Sequence, residues 1–166
     1  MSSPTVEQVR SLPVWLDTQV PAEFEDANGH VNVAGHLKLF DEAGWRWAAD
    51  TGFHSAEAPS DSSLMDLEHH LRYLAELHVG AHVRAYGRWL ERGEKRIHGM
   101  FFLVDEDADR LVSTLEATTA HVSLSARRST PFPPPLAARL DEQVAASDRD
   151  WPAPVCGAMG VTPPGR

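Results

Sequence analysis

The segment from Asp26 to Asn32 concentrates side chains that can do chemistry within a few residues of one another. Asp26 supplies a carboxylate, His30 an imidazole and Asn32 an amide, directly before a predicted helix. Free backbone N–H groups at a helix N-terminus polarise a carbonyl, which suits acyl transfer by a carboxylate nucleophile or base. A turn at Asn28-Gly29 with Asn32 as helix cap explains the same residues without chemistry. Spacing alone leaves both interpretations open.

The element that follows this segment is predicted to be a long helix over residues 34–51. Leu37, Phe40, Gly44 and Trp47 recur at helical spacing and mark one apolar face. Such a stripe holds a helix against a sheet. Aromatic residues on this helix also suit a cation–π wall for a cationic ligand, although ordinary core packing explains them equally well.

Most of the remaining chain is predicted to be strand. Three alternating or apolar segments read as antiparallel strands joined by short polar turns, namely 82–91, 97–104 and 111–124. Residues 13–24 contain two prolines and are predicted to form an edge or irregular strand. Residues 64–78 fit either a strand or a helix by periodicity alone.

Together these elements predict an α+β protein with one sheet and one long helix. Pairing through the exposed sheet edge would protect it, which favours a dimer. A short amphipathic helix is predicted within residues 131–147. Residues 1–12 are predicted to be flexible, and residues 148–166, rich in Pro and Gly, to be disordered.

Composition excludes several classes of protein. The net charge is −9, and all of it lies in residues 1–68, which hold 12 acids and 3 bases, so a duplex-binding role is not expected. Cys156 is the single cysteine, which rules out a disulfide scaffold. No apolar run suits a signal peptide or a membrane span, and a cytoplasmic protein is expected. No metal site is predicted, because adjacent His69 and His70 point to opposite faces of a strand.

The pattern Asp26-x-x-Gly29-His30-Val31-Asn32 before a helix resembles the hotdog-fold acyl-CoA thioesterases related to 4-hydroxybenzoyl-CoA thioesterase. Val33 and His36 depart from that pattern, where many members have Asn and Tyr. Three later segments narrow the resemblance to the betainyl-CoA thioesterase branch, often attached to carnitine dehydrogenase. They are residues 67–80, with Glu68, His70 and Arg72, the segment Lys95-Arg96-Ile97-His98, and, more loosely, residues 116–122.

The resemblance implies a hotdog fold over residues 13–130, in which an antiparallel sheet wraps a long helix. It also implies that residues 64–78 are strand, and that active sites lie at the interface of a homodimer or larger assembly. The activity it implies is acyl-CoA hydrolysis, with CoA as part of the substrate and no retained cofactor. A non-catalytic hotdog protein that binds acyl-CoA or a partner is the alternative.

The expected site has two groups of residues. Asp26, the first choice as nucleophile or base, leads a catalytic group that also includes His30, Asn32 and Glu68. Glu68 is expected to face the substrate cavity, with a cross-strand ion pair as the alternative role. The expected substrate-binding residues, of which the arginines would meet CoA phosphates, are Gly29, His36, His70, Trp45, Arg127 and Arg128.

Overall fold

The computed structural model describes residues 3–53 and 61–162 as one antiparallel sheet with three α-helices and a short 3-10 helix, Ala22–Phe24. The strands are β1 Val14–Gln19, β2 Ser62–Tyr73, β3 His82–Arg92, β4 Arg96–Asp105, β5 Arg110–Ser123 and β6 Arg128–Ser129. The helices are α1 Val6–Arg10, α2 Val33–Thr51 and α3 Pro134–Ala146. The strand order is β1-β3-β4-β5-β2, with the short β6 paired to β5. The family resemblance implied strand over residues 64–78; the structure has strand as far as Tyr73, and residues 74–78 are not strand.

Helix α2 lies against one face of the sheet, called here the inner face. It ends at Gly52, whose φ of 90° closes the helix in a left-handed cap. Phe40 and Trp47 are buried, as the apolar stripe predicted, but Leu37 is largely exposed and Leu39 is buried instead. The buried face of α2 therefore includes Leu39 and not Leu37. The side of the helix that carries Leu37 lines a cavity.

A cluster of large aromatic rings fills the inner face at one end of α2. Trp47 and Trp89 have ring centroids 4.5 Å apart, and Trp15 lies 5.7 and 5.6 Å from them. This packing requires glycine at position 87, because a Cβ there would lie 2.1 Å from the ring of Trp15. The indole N–H of Trp47 donates to Gln143 at 2.8 Å, which ties α2 to α3.

The segment expected to be flexible, residues 1–12, contains helix α1; residues 1–2 lie outside the described residues. Thr5 and Gln8 form a reciprocal capping box that starts α1. Val9 and Leu12 are buried in a second core on the outer face of the sheet, the face opposite α2. Val9 and Leu12, three residues apart, pack this short segment against the sheet. A pattern of two apolar residues is too short to be recognised as helical periodicity in the sequence.

The C-terminal segment is also ordered as far as residue 162, contrary to the predicted disorder of residues 148–166; residues 163–166 lie outside the described residues. After α3 the chain crosses the edge of β3, where Ser147 Oγ accepts from the Trp89 backbone N–H at 3.3 Å. It then covers the outer face, with Trp151 stacked edge-on against Phe102 at 5.8 Å. Pro and Gly preclude regular structure here, but they do not prevent the segment from docking through side chains.

Strand β2 forms one end of the sheet, with a bulge at Leu67 between the pairs Asp66–Thr119 and Glu68–Thr118. A bulge adds one residue to the strand. The alternation of side chains between the two faces of the sheet is therefore shifted by one residue after the bulge. Asp66 and His69 therefore share the inner face, whereas Glu68 and His70 share the outer face. The prediction that His69 and His70 face opposite ways is confirmed.

Candidate active site

The Asp26 loop is a tight turn held by the Asp26 side chain. Asp26 Oδ1 accepts the backbone N–H groups of Asn28 at 2.8 Å and His30 at 3.3 Å. The backbone hydrogen bond from Asn28 is the main cause that lowers the pKa of Asp26 below its ordinary value, so the carboxylate is ionised at neutral pH. Gly29 adopts a φ of 79°, which the turn requires and which favours glycine.

His30 lies between the loop and the segment that follows β2. Its Nε2 is 3.4 Å from the Glu76 carboxylate, and its ring centroid is 5.1 Å from that of His78. His78 Nδ1 is 3.1 Å from the Gly29 carbonyl oxygen, so this second imidazole braces the turn. His30, Glu76 and His78 place potential metal-ligand atoms within 4.8 Å of one another, at the protein surface.

Asn32 is the N-cap of α2. Its Oδ1 accepts the Gly35 N–H at 2.9 Å, and its Nδ2 donates to the Phe24 carbonyl at 2.9 Å. Both ends of the amide are thus used in structure, as the non-chemical interpretation of this residue predicted. The turn held by Asp26 and the cap at Asn32 together fix how the loop joins the first turn of α2.

A cavity of about 410 Å³ lies between the exposed flank of α2 and the inner face of β2 and β5. It begins at Ala34 and Leu37 in the first helical turns and ends among aromatic rings. Asp26, His30 and Asn32 are not among its lining residues. Its aromatic lining consists of Phe40, Trp45, Trp47, Trp89 and Phe101, and its ionisable lining of Lys38, Asp41, Asp66 and His69.

Asp66 and His69 form a polar pair in the cavity wall that sequence reasoning missed. The Asp66 carboxylate lies 3.1 Å from His69 Nε2 and accepts the Thr119 hydroxyl at 2.6 Å. Burial acts to raise the pKa of Asp66, but the hydrogen bonds from His69 and Thr119 outweigh it and lower the pKa. The bulge at Leu67 decides that these two residues face the cavity, and nothing in the local sequence marks that bulge.

Glu68 does not line the cavity, which corrects the expectation that it faces the substrate. It lies on the outer face of β2 with His70. His70 Nδ1 is 3.8 Å from the carboxylate of Glu116, a residue on β5. His70 is therefore part of a polar cluster on the other side of the sheet, where it does not contact the cavity.

His36 and Trp45, both predicted to bind substrate, have different surroundings in the structure. His36 is buried, with Nδ1 3.0 Å from the Ser113 hydroxyl and its ring edge-on to Tyr73. Burial lowers the pKa of His36 to about 4, so it is neutral at neutral pH and acts as a core residue. Trp45, by contrast, is 57% exposed and lines the cavity.

Arg127 lies in the turn between β5 and β6, and Arg128 is the first residue of β6; both are exposed. Arg128 pairs with Ser123, which also pairs with Ser62 at the start of β2. The arginines therefore stand at the end of the sheet where neighbouring Ser63 and Leu64 line the cavity.

The comparison with protein families decides the identity of the fold. Residues 20–140 match the model of the thioesterase-like superfamily. The chain belongs to this superfamily. Among solved structures, a Staphylococcus aureus protein in complex with CoA superposes with a TM-score of 0.78 at 24% identity, over 92% of this chain and 97% of that one. The predicted hotdog architecture is thereby confirmed.

Sequence relatives within the superfamily share most of the chain. The betainyl-CoA thioesterase of Pseudomonas aeruginosa is 34% identical over 150 residues, which cover 89% of this chain and 94% of that protein. The L-carnitine dehydrogenase/betainyl-CoA thioesterase of Rhizobium meliloti is 30% identical over 83% of this chain, but only 28% of that longer protein is matched. The thioesterase superfamily member described here is an acyl-CoA thioester hydrolase, as its sequence predicted.

Proposed function

We propose that this thioesterase hydrolyses a short acyl-CoA whose acyl group carries a quaternary ammonium, with betainyl-CoA as the preferred substrate. The observation that supports this is the composition of the cavity. Trp45, Trp47 and Trp89 stand in its wall together with the carboxylates of Asp41 and Asp66. Indole faces attract a trimethylammonium group, and a desolvated contact contributes about 2 kcal/mol. The names of the relatives from Pseudomonas and Rhizobium agree with this substrate.

Asp26 carries the chemistry in this proposal. As nucleophile, its carboxylate attacks the thioester carbonyl, CoA leaves as the thiolate, and water hydrolyses the resulting anhydride. As base, it takes a proton from the water that attacks instead. Both routes end in the free acid and CoA. His30 and Asn32 position the loop, through the backbone hydrogen bond to Asp26 and the cap of α2 respectively.

The active enzyme is proposed to be a cytoplasmic homodimer joined through β2. This strand ends the sheet, and among the described strands only β5 pairs with it. Met65 and Leu67 on it are about half exposed, although both are large and apolar. Antiparallel pairing of two β2 strands would cover them and place the partner's loops beside the cavity, which Asp26 of the same protomer does not line. No described helix is long and apolar enough to cross a membrane.

The test is thiol release from two matched substrates. Betainyl-CoA and 3,3-dimethylbutanoyl-CoA differ in the exchange of a quaternary nitrogen for carbon, so their volumes match and their charges differ. We expect kcat/KM to favour betainyl-CoA by tenfold or more. Equal or reversed preference would exclude a cationic subsite, and absence of turnover with either substrate would show that the enzyme acts on a different acyl group.

Two variants test which carboxylate recognises the positive charge of the acyl group. Asp66→Asn removes a carboxylate from the cavity and should reduce the preference for betainyl-CoA several-fold. Glu68→Gln makes the same chemical change two residues away, on the outer face of the sheet, and should leave the ratio unchanged. If Glu68→Gln altered the ratio and Asp66→Asn did not, the cavity would not be the acyl site of the enzyme.

A further inference from the structure

The outer face of the sheet buries a carboxylate without a permanent countercharge. Glu116 on β5 is fully buried, and its oxygens accept from His98 Nε2 at 2.9 Å and from the Cys156 backbone N–H at 2.6 Å. Its ion pairs within the described residues are with His98 and His70, and none is with Lys or Arg. A buried carboxylate is costly unless a cation or several hydrogen-bond donors compensate it.

The C-terminal segment places a thiol beside this carboxylate. Cys156 lies in a turn whose next residue, Gly157, has a φ of 80°. The turn lets the backbone N–H of Ala158 donate to Cys156 Sγ at 3.4 Å. Backbone donors of this kind are typical outer contacts of sulfur atoms that bind metals.

We propose that His70, Glu116 and Cys156 form a zinc site between the sheet and the C-terminal segment. One donor atom from each residue lies within 4.8 Å of the other two, and His70 Nδ1 is 3.8 Å from Glu116 Oε2. Imidazole nitrogen, carboxylate oxygen and thiolate sulfur are the three donor types that zinc prefers. Three protein ligands leave the fourth tetrahedral position to water.

The site needs only a small contraction to hold the ion. Bonds of 2.0–2.3 Å in a tetrahedron set donor atoms about 3.3–3.5 Å apart. His70 is 44% exposed and the Cys156 side chain is partly exposed, so both can rotate toward Glu116. Glu116 itself is held by His98, whose role is then that of an outer-shell residue orienting a ligand.

Charge and polarity also fit a divalent cation. One thiolate and one carboxylate neutralise Zn²⁺, so the filled site carries no net charge into the interior. The hydroxyls of Thr114 and Thr118, two residues to either side of Glu116, are buried without a hydrogen-bond partner among the described residues. This face therefore contains hydroxyl groups whose hydrogen-bonding capacity is not satisfied by the described residues.

The surface cluster of His30, Glu76 and His78 provides the matched control. It has a similar separation of donor atoms but no thiol and no buried carboxylate. Its histidines already contact Glu76 and the Gly29 carbonyl. We therefore expect the buried cluster to bind zinc far more tightly than this exposed one.

The experiment measures metal binding directly. Metal-free, reduced protein is titrated with ZnCl₂ against a chromophoric chelator, and with CoCl₂ as a spectroscopic probe. Wild type should bind one equivalent of zinc per chain and show a thiolate-to-cobalt charge-transfer band. Cys156→Ser should lose the band, and Cys156→Ser and His70→Ala should each weaken zinc binding at least about tenfold. At equal zinc concentration, zinc should raise the Tm of wild type more than that of Cys156→Ser.

The His78→Ala variant should bind zinc like wild type. Both ligand variants change partly exposed side chains, so they test the site without altering the buried Glu116. The proposal is overturned if wild type binds no stoichiometric zinc, if both ligand variants bind like wild type, or if His78→Ala removes the binding. None of these results depends on which acyl-CoA the enzyme hydrolyses.

Discussion

The two faces of the sheet solve the problem of burial in opposite ways. The inner face leaves an aromatic cavity open beside α2, with Asp66 and His69 in its wall. The outer face is sealed by α1 and by the C-terminal segment, and it encloses the Glu116 carboxylate. An open apolar cavity with a few polar groups is what a ligand site requires, whereas a sealed polar cluster holds terminal segments in place. We therefore expect changes in the cavity to affect turnover and changes on the outer face to affect stability.

The largest expected effect is on the catalytic side of this comparison. Asp26→Asn should lower kcat/KM by about 10²–10⁴ with little change in stability, because Asn keeps an acceptor for the backbone of Asn28 but cannot act as nucleophile or base. Asp61→Asn is the matched control, since Asp61 also accepts backbone and hydroxyl hydrogen bonds in a turn, from Ser125 and Ser123. Near-normal turnover of the Asp26 variant would remove the carboxylate from the mechanism.

The next effect concerns stability of the outer face. Trp151 is 7% exposed, and its carbonyl accepts from Arg88 at 2.8 Å. Trp151→Ala should lower the free energy of unfolding by about 3 kcal/mol, as for large aromatic residues in a core. Trp45→Ala removes a mostly exposed indole from the inner side and should change it by less than about 1 kcal/mol. Urea unfolding of both variants measures the difference; equal losses would mean that the C-terminal segment is not docked.

The sequence predicts the elements of the inner face better than the polar cluster of the outer face, and the reason is physical. Long periodic elements, such as α2 and β3–β5, were predictable because each buries many residues at regular spacing. The Asp26–Asn32 turn was predictable because its residue types act locally. The outer-face cluster of Glu116, His98 and Cys156 forms only through tertiary contacts. No spacing of residues in the sequence therefore predicts it.

The bulge at Leu67 shows a second limit of sequence reasoning. Alternation correctly grouped Glu68 with His70, but it could not decide which group faces the helix. The face depends on register against β5, which the bulge shifts by one residue. The wrong assignment of Glu68 to the cavity follows from that alone, as does the failure to predict Asp66.

A smaller effect is expected from pH on the helix–sheet contact of the inner face. His36 has a pKa of about 4 when folded and an ordinary value of 6.5 when unfolded, because burial disfavours the imidazolium. The unfolded chain therefore binds more protons between these values, and stability is lost as pH falls from 6.5 through 4. The loss is roughly 2–3 kcal/mol.

Urea unfolding at pH 7, 5.5 and 4 tests this contribution. His36→Asn removes the titrating group, so its free energy of unfolding should fall less steeply with acid than that of wild type. His78→Asn, which changes an exposed histidine, should keep the wild-type slope. Parallel curves for wild type and His36→Asn would show that another group accounts for the acid sensitivity.

The smallest expected effect is at the end of the sheet that carries Arg127 and Arg128, next to the cavity-lining residues Ser63 and Leu64. Both side chains are exposed, so replacing both by Gln should raise KM for acyl-CoA only three- to fivefold, with kcat unchanged. High salt should abolish the difference, because exposed charges are screened. Arg84→Gln, an exposed arginine paired with Asp17 at the opposite edge of the sheet, should have no effect. An acyl-pantetheine substrate lacks the nucleotide phosphates, so its KM should not respond to the double variant; an equal rise would mean that the two arginines do not contact those phosphates.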